Sequence, residues 1–239
     1  MWRYAGYMHA TSVNTGRRVG LNQDKIRRVA QSLTRERGIE NWSIRDLALE
    51  LKVSPSVIYH YFANRDAIID AVIAQLIGSI ALPEKSLEWK EWFMALATNA
   101  RPVLLEHPGV TERMMHGNFS AEMLPLLEAS FEKLQEAGFH HHAPQAYTMI
   151  INTILWAITA RNLRSPTRRE QRHDLGRMVA QAQPLAAGSA ALTDMLDNYL
   201  LPLTDPQNEN QMSQEYFTIM VRALLVGLEE TLLPRESSN

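Results

Sequence analysis

The chain has no cysteine in its 239 residues. That absence excludes a disulfide scaffold, a thiol nucleophile, and zinc or iron–sulfur clusters held by thiolates, and it fits a chain that never needed an oxidising compartment. Long apolar runs are missing too: none approaches the roughly 18 residues of a membrane span. The first twenty residues mix Arg, His, Asn and Gly and hold no apolar block of signal-peptide length. A cytoplasmic protein without a membrane partner is the expectation. Also missing are a Gly-rich phosphate loop, a G-x-S-x-G elbow, an H-E-x-x-H pair and any pair of carboxylates tied to a pocket, so neither catalysis nor a cofactor is expected. What the chain does have is apolar mass: 46% hydrophobic residues can fill a real core, which excludes disorder as the dominant state.

Charge of one sign is scarce overall, with 24 Lys and Arg against 26 Asp and Glu for a net of −2. The total hides an asymmetry. Residues 1–75 carry 11 basic against 7 acidic side chains, a net of +4, and residues 76–239 carry 13 against 19, a net of −6. The front is suited to a polyanion and the remainder to another task.

The pattern is helical almost throughout. Asn22 can cap a helix over about 22–38, with Ile26, Val29, Ala30 and Leu33 at spacings of three and four and Gly38 as terminator. Ser43-Ile-Arg-Asp46 reads as a capping box with Asp for Glu, opening a helix over about 43–51. Ser54-Pro55 opens a third over about 55–61, because proline at the first helical position forfeits no hydrogen bond. Asn64 can cap a fourth, about 65–80. Two short helices joined by a three-residue turn and braced by a preceding helix have the spacing of a helix-turn-helix unit.

These residues carry a resemblance. The run from Ser43 to Asp66, with its "L-A-x-x-L-x-V-S" turn, its "(I/L)-Y-x-(H/Y)-F" recognition helix and the Asn64-Arg65 start of the next helix, resembles the DNA-binding segment of the tetracycline-repressor (TetR) family over about residues 22–75. Lys52 departs from the Gly common in that turn, which invites local strain if φ is positive. The resemblance assigns Arg45, Ser56, Tyr59 and His60 to the groove side. Arg45 is the best base reader, since its fork can bond guanine O6 and N7 together. Ser43, Ser54, Tyr59 and Arg65, with Asn64 at the same helix start, have groups suited to phosphate oxygens or lie at helix N-termini, which position without reading sequence. Phe62 is expected in the core; Tyr61 is left open between core and groove. An arm over 1–20 with Arg17 and Arg18 either follows the DNA or is a solvated tail.

Past Leu82-Pro83 the chain continues as amphipathic helices, expected at about 86–106 with a kink at Pro102, 110–116, 120–137, 144–163, 168–182, 189–200 and 213–233. This part, from "LLEHPGV" to "LLEASFEKLQEAGF" and the apolar helix beyond, also resembles the C-terminal domain of tetracycline-repressor-like proteins. The expected fold is therefore all-α, with an N-terminal arm over 1–20, a helix-turn-helix domain over 21–75 and an effector-binding and dimerisation domain over 76–239. The resemblance implies a homodimer through the helices at about 144–163 and 213–233. Ile150, Ile154, Leu155 and Ile158 are placed on one side of that interface, and Met220, Val221, Leu224, Leu225 and Leu228 on the other. A two-fold dimer spaces its recognition helices about 34–36 Å apart, so its double-stranded operator is expected to be a palindrome.

A small apolar or aromatic effector is expected among Trp89, Trp92, Phe93, Met114, Met115, Phe119, Met123, Met149 and Trp156, with Arg101, His116, Asn118 and Asn152 as polar fixers; about half of the apolar set is expected to be core packing instead. The resemblance implies that such an effector shifts the fourth helix through contacts around His107–Val110. No metal is expected. His116 lies near a metal-binding histidine of tetracycline repressors but lacks the matching neighbours, and His140–His142 reads as an exposed loop. The Arg run at 161, 164, 168, 169, 172 and 177 reads as a solvated face. Repressor and activator are not distinguished by sequence. A helical protein-interaction module would explain the later helices but not the helix-turn-helix set.

Overall fold

The computed structural model describes residues 20–117, 120–164 and 174–233, and among these there is no strand. The expectations for Arg17, Arg18, Asn118, Phe119, Arg168, Arg169 and Arg172 lie outside the described residues.

Four helices form the first unit: α1 Gln23–Arg37, α2 Ile44–Leu51, α3 Pro55–Ile58 and α4 Arg65–Gly78. The starts of α1, α2 and α4 follow from a side chain that satisfies amides the helix leaves orphaned, whereas α3 opens on Pro55 with no side-chain cap bond from Ser54. Asn22 Oδ1 accepts from Lys25 N at 2.8 Å, and Asn64 Oδ1 accepts from Ala67 N at 2.8 Å. At α2 the capping box is complete: Asp46 N donates to Ser43 Oγ at 3.2 Å, and Ser43 N donates to Asp46 Oδ2 at 2.7 Å. The Ser43 hydroxyl and amide together hold the Asp46 carboxyl below its ordinary range. α2 ends at Lys52 in the left-handed region, φ 54° and ψ 44°, a conformation that costs a residue with a Cβ about 1–2 kcal/mol. The expected strain is therefore in place. α3 is shorter than its expected range, with Tyr59 already its C-cap.

Ile26, Ala30 and Leu33 of α1, Leu47 and Ala48 of α2, Ile58 of α3 and Ile68, Ile69 and Val72 of α4 close one core. Each fully buried Ile or Leu contributes roughly 1.5–3 kcal/mol. Trp42, from the loop between α1 and α2, roofs this core and donates its indole N–H to Thr34 Oγ1 at 2.9 Å; that hydroxyl in turn donates to Ala30 O at 2.8 Å. Phe62 is half-buried against the core, and Tyr61 is tethered through its hydroxyl to Leu21 O at 3.0 Å.

The second unit holds α5 Trp89–Leu105, α6 Val110–Met115, a 3-10 turn Ala121–Met123 leading into α7 Leu124–Glu136, and α8 Ala143–Asn162. It continues with α9 Leu175–Ala186, α10 Ala190–Met195 running on into a π turn Leu196–Leu200, and α11 Pro206–Leu232. α5 runs on past Pro102 to Leu105. α11 starts seven residues before its expected first residue, because Asp205 caps it, accepting from Gln207 N at 2.9 Å, and Pro206 takes the first helical position. α8 packs against α5, α6, α7 and α11, so it is the central helix of this unit.

That centrality corrects two expectations. Ile150, Ile154, Leu155 and Ile158 of α8 and Val221, Leu225 and Leu228 of α11 are buried within one chain, so they have no surface to give a partner. The apolar side chains that these helices leave exposed are Met149 and Trp156 on α8 and Tyr216, Ile219 and Val226 on α11. Likewise Trp89, Trp92 and Phe93 are buried in the core and line neither the crevice between α4 and α6 nor the cavity beside α9: Trp89 meets Phe139 edge-on at 4.9 Å, and Trp92 meets Phe93 at 5.0 Å.

Candidate DNA-reading face and effector crevice

α2, the turn and α3 bring Ser43, Arg45, Ser54, Ser56, Tyr59 and His60 together as exposed residues. Tyr59 is 52% exposed although it sits between the buried Ile58 and the tethered Tyr61, which is unusual for a large aromatic that serves only packing. Ser54 and Ser56 share a hydrogen bond at 2.8 Å between hydroxyls, and Ser43 donates its own to Asp46 at 2.6 Å. All are short polar groups at helix starts, where backbone N–H groups favour anions.

Arg65 and Asn64 do other work. The Arg65 guanidinium donates through Nε to Trp42 O at 3.0 Å and through NH2 to Ile39 O, and it lies over the Trp42 ring at 4.8 Å. It thus pins the α1–α2 loop to α4. Asn64 spends its side-chain oxygen on the α4 cap.

The two units are joined around His107–Val110, the stretch expected to carry contacts between them, although its partners here are α1 and the α1–α2 loop. Ile39 N donates to Pro108 O at 2.8 Å, so the turn between α5 and α6 is bonded to the α1–α2 loop. His107 is buried beside it. Its Nδ1 lies 2.7 Å from Val103 O and its Nε2 lies 3.4 Å from Gln31 Nε2. A carbonyl only accepts, so Nδ1 carries the proton and Nε2 accepts from the Gln31 amide; this is the neutral ring. Burial agrees, holding the His107 pKa below its ordinary value despite the help that Val103 and Glu106 give the charged form. On the other side Arg113 of α6 reaches Glu40 at 2.9 Å and Asp66 at 2.8 Å, across to the α1–α2 loop and the start of α4. Burial lowers the pKa of this guanidinium, but the two carboxylates outweigh it and raise the pKa above the ordinary value.

Below Arg113, between α4 and α6, lies a crevice of about 280 Å³. Ile73 and Ala74 form one wall and Met114 and Met123 the other, with Asp70, Gly117 and Ser120 at its edge. Of the expected effector residues only Met114 and Met123 line it. Met115, His116, Met149, Asn152 and Trp156 are exposed elsewhere, and Arg101 is half-buried, donating to Ser213 Oγ at 3.1 Å and lying over the Phe217 ring at 5.4 Å. His140–His142 form a 3-10 turn before α8, and among the described residues no three His, Asp or Glu are grouped to hold a metal. Nor is any described helix long and apolar enough to cross a membrane.

A capped helix-turn-helix unit is thus bonded through the α5–α6 turn to a larger all-α unit, and known proteins share this arrangement. Residues 26–72 match the family model of bacterial regulatory proteins, tetR family. Members of the family are DNA-binding regulators and not enzymes. The chain is 32% identical over 89 residues to an HTH-type transcriptional regulator of Saccharopolyspora erythraea, which is 37% of this chain and 38% of that protein. It spans between about a third and just over half the length of the curated relatives it matches. In fold it is similar to ActR of Streptomyces coelicolor in complex with actinorhodin, with a TM-score of 0.63 at 22% identity, covering 87% of this chain and 97% of that one. It is also similar to BioQ bound to its double-stranded DNA operator, with a TM-score of 0.55 at 22% identity, covering 70% and 99%.

Proposed function

We propose that the chain is a ligand-responsive transcriptional repressor that binds a palindromic operator as a homodimer. The observation that carries this reading is the exposed set Arg45, Ser56, Tyr59 and His60 on α2 and around α3, in the order a major-groove reader needs. Arg45 would take a guanine, worth about 1–3 kcal/mol of discrimination for a bidentate pair. Ser43, Ser54 and Tyr59 would position the unit on phosphates. Arg65 and Asn64 are left out of the contact set because their side chains are engaged within the domain. The exposed stripe of Met149, Trp156, Tyr216, Ile219 and Val226 on α8 and α11 supports the dimer, since adjoining apolar patches on two late helices mark an interaction surface.

The effector is a small apolar molecule that enters the crevice between α4 and α6, where Ile73, Ala74, Met114 and Met123 supply adaptable walls. Occupancy would part α6 from α4 and strain the Arg113 ion pairs, tilting the DNA-reading unit. Such a ligand shifts the equilibrium only by its preference for the parted state. The test is fluorescence anisotropy on duplexes selected from a random library. Arg45→Ala with Tyr59→Ala abolishes specific retention while circular dichroism and the dimer stay unchanged; retained specific binding refutes the reading and favours a protein-interaction module.

A further inference from the structure

A second cavity, of about 450 Å³, lies where the C-terminal end of α8 meets the first turns of α9 and α11. Its chemistry differs from that of the crevice. Glu209 of α11, only 8% exposed, receives Arg161 of α8 at 2.7 Å and Arg164, two residues past the end of α8, at 3.2 Å, both largely covered. These two arginines were expected in a solvated run; the structure turns them inward because the end of α8 and the turn after it pack against α11, which presents a carboxylate. Arg101 of α5 joins the cluster electrically. It is bonded to Ser213, one turn beyond Glu209, and its guanidinium is held below its ordinary value by burial and by repulsion from Arg161.

Among the described residues the charge does not close. There, three guanidiniums converge on one buried carboxylate, and the other acidic wall residue, Asp174, is exposed and caps α9, accepting from Arg177 N at 3.1 Å. Partly buried cation in excess of anion is costly and is expected to recruit a counter-charge. Two further features shape what could supply it. Among the described residues Arg161 uses NH2 on Glu209 and Asn210, and Arg164 uses Nε on Glu209 and NH1 on Ala160 O, which leaves donors on both forks. The opposite wall is apolar, formed by Leu175 and Leu203.

We propose that this cavity binds a small organic carboxylate, its head group received by Arg161 and Arg164 beside Glu209 and its apolar body laid against Leu175 and Leu203. A planar guanidinium matches a carboxylate with parallel hydrogen bonds, and the part-covered setting strengthens them. The site is separate from the crevice between α4 and α6 and goes beyond the regulator reading.

The experiment is calorimetric titration of the full chain without DNA, so its failure leaves operator binding untouched. Octanoate is the probe, octanamide its uncharged counterpart and inorganic phosphate the head-group control. Octanoate is expected to bind about tenfold or more tighter than octanamide, and Arg164→Gln to remove that advantage while octanamide binding is unchanged. Equal affinity for octanoate and octanamide overturns the proposal, as does an Arg164→Gln chain that binds octanoate as tightly as the native one. Phosphate binding without octanoate binding overturns the carboxylate assignment. If Arg164→Gln does not fold by circular dichroism, Leu203→Ala takes its place, expected to weaken octanoate and leave phosphate unaffected; undiminished octanoate binding there overturns the apolar part of the site.

Discussion

Gly109 connects the two units, and replacing it by alanine tests how tightly they are joined. Its φ is +89°, which costs an L-residue roughly 1–2 kcal/mol. A Cβ there would also sit 2.7 Å from Ile39 Cγ2, and Ile39 is fully buried, with its amide bonded to Pro108 O. Forcing extra volume into such a place costs roughly 1–3 kcal/mol. Gly109→Ala should therefore lose about 2–5 kcal/mol in total. Gly117 supplies the control, since it has φ +86° but nothing within 4 Å of a built Cβ, so Gly117→Ala should lose only the backbone part. The assay is urea unfolding followed by tryptophan fluorescence. Losses equal within about 0.5 kcal/mol would refute the close approach of Gly109 to Ile39, because additive backbone costs would then explain both variants.

Two further outcomes follow from buried polar groups. Thr34→Val removes the acceptor of the Trp42 indole N–H and should cost about 1–3 kcal/mol in urea unfolding; a neutral change would contradict a dry site there. His107 is neutral in the fold and its pKa is lowered from 6.5, so the unfolded chain takes up the proton first. The stability tied to it is complete above about 6.5 and is lost as pH falls from there toward the folded value. His107→Gln should flatten the stability profile in that window relative to the native chain, and identical slopes would contradict the burial argument.

Much of the DNA-reading unit was legible because each helix there announces its start with a side chain: Asn22, Ser43, Ser54 with Pro55, and Asn64 all stand where they were read. Asp205-Pro206 sends the same signal for α11, but the polar stretch after it masked the helix until its apolar face began. Trp92 and Phe93 show a deeper limit. Helical spacing reports that a side chain will be buried, not whether protein or ligand buries it, and here α5 is covered by its own chain. Arg65 shows the same for charge: its cation was legible, while its carbonyl partners at Ile39 and Trp42 depend on how a loop folds back. The meeting of Arg161 with Glu209, 48 residues later, and of Arg113 with Glu40, 73 residues earlier, needed the packing of whole helices and left no local trace.

The central claim is that this chain reads DNA as a two-fold pair, and selection of bound duplexes from a random library tests it most directly. The account predicts recovered sequences that are palindromic, with half-sites about one helical turn apart (roughly 34–36 Å), and a guanine preference at one symmetric position that Arg45→Ala removes. Recovery of no enriched sequence, or of enriched sites without two-fold symmetry, would contradict it.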